Sequence, residues 1–218
     1  SLHDALPISG HLEITEALHH SFSGTWEQIW GEDRIVENNY HEMTIRVQKT
    51  STPKRKFNVV FRLFNDGFGF RYEFPEQEAL KDFVIMDELT EFALTGDHKA
   101  WSIPYEAHFY EALYEASPVS KLGWVSTPLT METNDGLFLS IHEANLTDYA
   151  AMNLIPKEGS MTLKANLTPW STGEKVFMKA PGVTPWRTMI VAESAGDLLL
   201  SRLMLNLNEP CRIQDTSW

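Results

Sequence analysis

The residues best suited to chemistry in this chain fall between positions 96 and 115. Gly96-Asp97-His98 comes first, then Trp101-Ser102-Ile103-Pro104, then Tyr110-Glu111 and Tyr114-Glu115. Carboxylates set among aromatics suit a sugar. Aromatic faces pack on the C–H face of a pyranose, while carboxylates accept hydroxyl hydrogen bonds or hold a hard cation such as calcium. A second group, His142-Glu143, ends an apolar run and precedes Asn145-Leu146-Thr147-Asp148-Tyr149. It would offer an imidazole and acidic groups at a strand end. Each group also has a plain structural reading. Gly96-Asp97-His98 also reads as a turn whose Asp bonds its own backbone. His142-Glu143 reads equally as a strand running into a polar loop.

The elements that must position these residues read as strands. The apolar run Phe57 to Phe64 leads into Asn65-Asp66-Gly67, a hairpin signal. Phe70, Tyr72 and Phe74 then alternate with Arg71 and Glu73, which is the period of a strand. Met43, Ile45 and Val47 alternate in the same way. So do Leu137, Leu139 and Ile141 after the Asn134-Asp135-Gly136 turn, and Met161, Leu163, Ala165 and Leu167. Strands are also expected from Leu12 onward, at Phe83 to Met86, Thr130 to Glu132, Thr188 to Val191 and Leu203 to Leu207. About ten or more short strands punctuated by Gly, Asn, Asp and Pro indicate an all-β sandwich. Two stretches depart from that pattern. Glu193 to Leu200, with Ser194 as N-cap, reads as one helical turn. Tyr105 to Ala116 has the propensity of a short helix, although its tyrosines also fit an extended segment.

Bulk properties narrow the function classes. The 218 residues carry 30 acidic and 18 basic side chains, a formal charge of −12. That argues against nucleic-acid binding, which requires clustered cations; the one dense basic patch, Lys54-Arg55-Lys56, reads as a solvated turn. No run of about 18 apolar residues suggests a membrane span, so no membrane insertion is expected. The single cysteine, Cys211, permits neither an intrachain disulfide nor a Cys-rich zinc site. Walker-type loops, nucleophile elbows, dinucleotide fingerprints and His-Glu-x-x-His helices are absent. Glycoside hydrolysis needs two carboxyls flanking one bond, and no such pair stands out. Residues 1–9 show no alternation and read as a non-native or unstructured leader. Residues 10–218 read as one domain.

Longer words in the chain resemble the amino-terminal domain of glycoside hydrolase family 97, bacterial α-glucosidases and α-galactosidases. They are Trp26-Glu27-Gln28-Ile29-Trp30-Gly31-Glu32, the run Phe61 to Pro75, Gly96-Asp97-His98 and Ile103-Pro104. Ile141-His142-Glu143-Ala144, Thr184-Pro185-Trp186-Arg187-Thr188 and Leu205 to Cys211 follow in the same order. The resemblance implies a large antiparallel sandwich of the galactose-mutarotase-like (supersandwich) type, incomplete at its N-terminal end. It also implies partners in the full-length chain, namely a catalytic (β/α)8 barrel, which carries the acid, base or nucleophile, and a C-terminal β domain. No catalytic residue is therefore expected within this segment. An α-linked oligosaccharide is the implied substrate, calcium the implied cofactor, and the periplasm or the exterior the implied location.

By the same resemblance Glu111 would be the single calcium ligand that this domain adds to a site built mostly on the barrel. Ala112 replaces a usual tyrosine and Tyr105-Glu106-Ala107 a usual Asp-Tyr pair, so Glu106 and Glu115 are alternatives. The family segment is extended, which favours an extended reading of 105–116 over a helix. Gly96, Asp97, His98, His142 and Glu143 are the substrate-pocket candidates. Two other classes compete with the accessory-domain reading. One is a self-sufficient carbohydrate-binding module, which would bind sugar alone. The other is a mutarotase-like epimerase using His98 or His142 with a glutamate, which would turn over alone.

Overall fold

The computed structural model describes residues 10–109 and 111–217. The chain opens with two long strands, β1 (Leu12–Glu27) and β2 (Ile35–Lys49). The aromatic hairpin follows as β3 (Lys56–Phe64) and β4 (Gly67–Phe74). Next come β5 (Asp82–Ile85), β6 (Glu91–Ala93), β7 (Lys99–Ser102) and β8 (Glu115–Pro118). The middle of the chain supplies β9 (Val125–Ser126), β10 (Leu129–Glu132), β11 (Phe138–Ala144) and β12 (Met152–Pro156). The last strands are β13 (Thr162–Leu167), β14 (Val176–Lys179), β15 (Gly182–Val183) and β16 (Trp186–Ala192). Two short helices end the described chain, α1 (Ala195–Leu200) and α2 (Leu203–Leu207).

The large sheet runs β1-β2-β3-β4-β16-β11-β10-β7-β8, with β15 added on β4, and every pairing is antiparallel. A four-stranded sheet, β6-β13-β12-β9, packs on it, and β14 pairs with β5 as a third, smaller sheet. The fold is thus the all-β sandwich read from the sequence. Its main core lies between the first two sheets. Leu129, Met131 and Ile141 from one face meet Leu154, Leu163 and Ala165 from the other. Alternation explains why each of these residues points inward. A second core, with Val47, Phe57, Phe74 and Leu80, is packed by Phe83 and Met178 of the small sheet.

The aromatic hairpin forms as expected, with Phe64 opposite Gly67 across a two-residue loop, Asn65-Asp66. Gly67 is not itself at the loop centre. It sits at φ +144°, where a Cβ would collide with the carbonyl oxygen of Met189 on β16. Only glycine fits both the backbone angle and the close approach.

Two expectations about helices resolve differently. Ser194 caps α1, its Oγ accepting from the Asp197 N–H at 3.2 Å. Leu203 to Leu207, expected as a strand, is instead α2. Leu203 and Leu207 lie four residues apart on one helix face, and both are buried against Val60, Phe64, Trp186 and Ile190. Leucine and methionine are strong helix formers, and the run holds no β-branched residue. The hairpin tip fixes its start, with Asp66 Oδ2 accepting from Ser201 Oγ at 2.6 Å and from the Arg202 N–H at 3.3 Å. No helix forms among the described residues of 105–116. Tyr105 donates its N–H to Trp124 O, and the stretch ends as β8.

Candidate functional site

Antiparallel register divides the candidate residues between two ends of the sandwich. Glu132 stands opposite both Lys99 and Phe138, while Leu129 stands opposite Ile141. Gly96-Asp97-His98 therefore lies at the Phe138 end of β11, and His142-Glu143 lies at its Ala144 end. Five residues of strand rise separate them, roughly 15 Å. The structure does not bring the two groups together. Residues 103–114 leave β7 from Ser102, which is level with Ile141, so Glu106, Glu111 and Glu115 belong to the Ala144 end.

At the Phe138 end the chemistry is local. Asp97 accepts from Ser120 N and Ser120 Oγ, both at 2.8 Å. These bonds hold its carboxyl below the usual carboxylate range. Asp97 thereby caps the single 3-10 turn Val119–Lys121. His98 is buried, with Nε2 3.2 Å from Thr95 Oγ1 and Nδ1 sealed from solvent. The virtual Cβ of Gly96 would touch the His98 ring and Asn134 Nδ2, so the glycine lets this turn close.

At the Ala144 end a charged network is buried inside the sandwich. Arg187 of β16 is 1% exposed. Its Nε donates to Glu88 Oε1 at 2.8 Å and its Nη2 to Glu88 Oε2 at 2.6 Å, a two-pronged pair. Nη1 donates to Glu143 Oε2 at 2.6 Å, and Glu143 Oε1 accepts from the Met152 N–H at 3.0 Å. Thr90 Oγ1 donates to Glu88 Oε1 at 2.8 Å and lies 3.0 Å from the Tyr72 hydroxyl. The guanidinium also sits 5.7 Å from the Tyr149 ring centroid. Two carboxylates thus share one cation in a buried site. Burial lifts the Glu143 pKa, with Arg187 opposing. Burial works against the charged Arg187, but Glu88 and then Glu143 more than offset it and hold the group above its usual value. Burial, reinforced by Glu88, raises Tyr149 as well.

His142 projects from the opposite face of β11 from Glu143. Burial alone pushes its pKa down, and its Nδ1 is buried without a partner. Glu111 is exposed, on a stretch without helix or strand that precedes β8. Tyr110, part of the same expected motif, lies outside the described residues. Among the described residues no group of three or more His, Cys, Asp or Glu side chains is placed to hold a metal ion.

Sequence reasoning did not single out Arg187, Glu88 or Tyr149 as parts of a site. One signal was available. Arg187 interrupts an otherwise inward-facing strand parity, Trp186 to Ala192, and a cation at such a position demands a buried anion.

The same architecture occurs in known proteins. Residues 2–210 match the family described as Glycosyl-hydrolase 97 N-terminal. That match includes most of the segment read as a leader. A retaining α-galactosidase of Bacteroides thetaiotaomicron is 26% identical over 216 aligned residues, covering 84% of this chain and 31% of that protein. A probable retaining α-galactosidase of Streptomyces bingchenggensis is 29% identical over 166 residues, covering 75% of this chain and 24% of that one. A family 97 glycoside hydrolase of Pseudoalteromonas sp. strain K8, solved with acarbose, superposes with a TM-score of 0.92 at 40% identity. That superposition covers 97% of this chain and 32% of the other, so the chain spans about a third of its relatives' length. The chain belongs to glycoside hydrolase family 97 and corresponds to its N-terminal domain.

Proposed function

We propose that this chain is the accessory domain of an α-glycoside hydrolase. It forms part of the sugar-binding pocket and docks on a (β/α)8 catalytic barrel elsewhere in the full-length polypeptide. The observation that carries this reading is the family match over nearly the whole chain, against relatives about three times as long. Supporting it, the Pseudoalteromonas relative was solved with acarbose and, as an E480Q variant, with panose, both glycosidase ligands. An α-linked oligosaccharide is the substrate class that follows, and a periplasmic or secreted setting suits such a substrate.

Within that assembly this chain shapes and supports, and the bond-breaking groups lie outside it. Glu111 is the candidate contact to calcium. An exposed carboxylate suits a hard oxygen-seeking cation, but the ion takes six to eight oxygens and one carboxylate cannot hold it alone. Glu111 fits as one donor in a shared site, with Glu106 and Glu115 as near neighbours in sequence. When bound, calcium would draw charge from the leaving oxygen. Of the pocket candidates, His142 and Glu143 lie at the same end of the sandwich as Glu111. Both Glu143 oxygens are committed within the fold, so its contribution is to hold β11 against β12.

The decisive comparison uses aryl α-glycosides and calcium calorimetry. The full-length enzyme should hydrolyse the glycosides and lose calcium affinity on Glu111→Ala. The 218-residue chain should do neither chemistry nor tight calcium binding. Hydrolysis by this chain alone, or a tight calcium site in it that Glu111→Ala abolishes, would refute the shared-pocket reading. One observation favours a self-sufficient sugar-binding module. Trp124 is half exposed, with its ring 5.8 Å from that of Tyr105, whose hydroxyl lies 3.4 Å from Thr168 Oγ1. That reading requires measurable oligosaccharide affinity in the isolated chain.

A further inference from the structure

Left-handed backbone outside glycine is uncommon, and asparagine and aspartate take it most readily. Among the described residues His11, Asn145 and Asp148 do so. Two of them bracket one stretch of the β11–β12 connection, Asn145-Leu146-Thr147-Asp148, at φ +55° and +50°. Such angles persist where the surroundings over-determine them. Here the surroundings do. The Asn145 N–H donates to Asn208 Oδ1 at 2.8 Å, and Asn208 Nδ2 donates to Met204 O at 2.7 Å, so the C-cap residue of α2 grips the start of the loop. Glu143, two residues upstream, is bonded to Arg187 and to the Met152 N–H. Tyr149, one residue downstream, is bonded to Glu88 and has its ring 5.7 Å from the Arg187 guanidinium. Both roots are thus anchored, while Thr147 and Asp148 are exposed at the tip. Among the described residues no hydrogen bond or ion pair occupies the Thr147 hydroxyl or the Asp148 carboxylate.

We infer that this stretch is a sugar-recognition loop, in which the Asp148 carboxylate and the Thr147 hydroxyl bind hydroxyl groups of an α-linked substrate and Asn208 is the positioning residue. This inference rests on the α-glycosidase reading for the identity of the ligand. A carboxylate only accepts hydrogen bonds and has room for several, so it pairs with neighbouring hydroxyls of a pyranose. A threonine hydroxyl both donates and accepts, so it takes a further hydroxyl or an ether oxygen. A stretch that only turned the chain would take glycine at positions 145 and 148, where positive φ carries no steric cost. Polar side chains stand there instead, and long-range bonds hold the backbone that presents them. The loop also connects to the Glu111 segment. The Thr168 N–H donates to Ala151 O at 3.0 Å, and Thr168 Oγ1 lies 3.4 Å from the hydroxyl of Tyr105, six residues before Glu111. Fixing the polar tip beforehand spares the complex the entropy of ordering it on contact.

Kinetics and scanning calorimetry on the full-length enzyme test the assignment. Asp148→Gly keeps the backbone angle and removes the carboxylate, while Asp148→Asn keeps the angle and the volume and removes only the charge. The glycine variant should melt no lower than the parent. Its KM for α-linked disaccharides should nevertheless rise at least about tenfold, more than kcat falls, which is the scale of one charge-assisted hydrogen bond. Asp148→Asn should raise KM in the same sense by a smaller factor. Asn208→Ala loosens the loop and should raise KM about threefold, whereas Asn208→Asp, which keeps an acceptor for the Asn145 N–H, should raise it less. A glycine variant with the parent's KM overturns the inference, because a stretch that merely turns the chain loses nothing on that change. Affinity for S-linked α-disaccharides of glucose and of galactose, which resist hydrolysis, separates the two readings. A parent that hydrolyses α-glycosides, with Asp148 variants that keep its affinity, refutes the loop and leaves the functional reading standing. A parent that hydrolyses none, yet binds these sugars and loses them on Asp148→Gly, refutes the functional reading and leaves the loop standing.

Discussion

Replacing Arg187 with methionine is the sharpest test of how the Ala144 end is held. The side chain is 1% exposed and carries all the charge compensation for Glu88 and Glu143. Methionine keeps much of the volume but removes three donors at 2.6–2.8 Å. Two carboxylates would then lie buried with only neutral partners, the Thr90 and Tyr149 hydroxyls on Glu88 and the Met152 N–H on Glu143. Breaking a buried pair from one side costs about 3–5 kcal/mol. For a domain of this size that corresponds to a fall in Tm of about 6–20 °C. The loss should depend on pH in a stated direction. Burial already raises Glu143 above its usual value in the native state, so the folded chain binds protons more readily there than the unfolded chain. Its stabilising share is therefore complete below the ordinary carboxylate pKa and is lost as pH rises through the raised value. Without Arg187 that tendency strengthens, and protonation becomes the only relief. The penalty of Arg187→Met should be larger at pH 8 than at pH 5. Adding Glu143→Gln to the variant removes one uncompensated charge and should recover at least about 1 kcal/mol at pH 8. Urea and thermal unfolding followed by circular dichroism at both pH values measure this. A loss below about 1 kcal/mol, or one that grows as the pH falls, would refute the account of the network as a charge-compensated core.

Three further outcomes follow from the geometry. Gly67→Ala should lose more than about 2 kcal/mol, because φ +144° and the Met189 carbonyl both exclude a Cβ; Gly159→Ala, at φ +69° with nothing within 4 Å, should lose only about 1 kcal/mol by urea midpoint. Leu207→Ala should cost about 2–5 kcal/mol and detach α2, read as loss of Trp186 burial by fluorescence quenching. His142 has a folded pKa depressed by burial, so its stabilising contribution is present above the ordinary histidine value and is lost as pH falls through the depressed one. Stability of a His142→Gln variant should accordingly decline less between pH 7 and pH 5 than that of the parent.

Features closed by neighbours in the sequence were legible before the structure. The hairpin of Phe57 to Phe74 appears with its turn, because alternation and an Asn-Asp-Gly tip are local facts. Ser194 caps α1 for the same reason. Leu203 to Leu207 was misread because leucine at every second position also gives leucine four residues apart. Only the shape of the available groove, over Phe64 and Trp186, selects the helix. The candidate site was half legible. The described residues of 105–116 avoid helix, but Asp97 bonds Ser120, 23 residues on, rather than its own backbone. The charge partner of Glu143 was invisible, because Arg187 lies 44 residues away, and Glu88, the other carboxylate on Arg187, lies 99 residues from it.

Near and far partners meet at both ends of the fold. At the Phe138 end some loops close on short-range bonds, Thr133 with Leu137 and Ser160 with Lys157, while Asp97 reaches Ser120 over 23 residues and Ser201 reaches Asp66 over 135. The Ala144 end closes across the chain. Arg187 reaches Glu88 over 99 residues, the Tyr72 N–H reaches Thr184 Oγ1 over 112, and the Asn145 N–H reaches Asn208 Oδ1 over 63. Bonds of that range form only once the sandwich has assembled, so they resist prediction from local pattern. The residues hardest to read in the sequence are therefore those that close at long range, Glu88 and Glu143 around Arg187 above all.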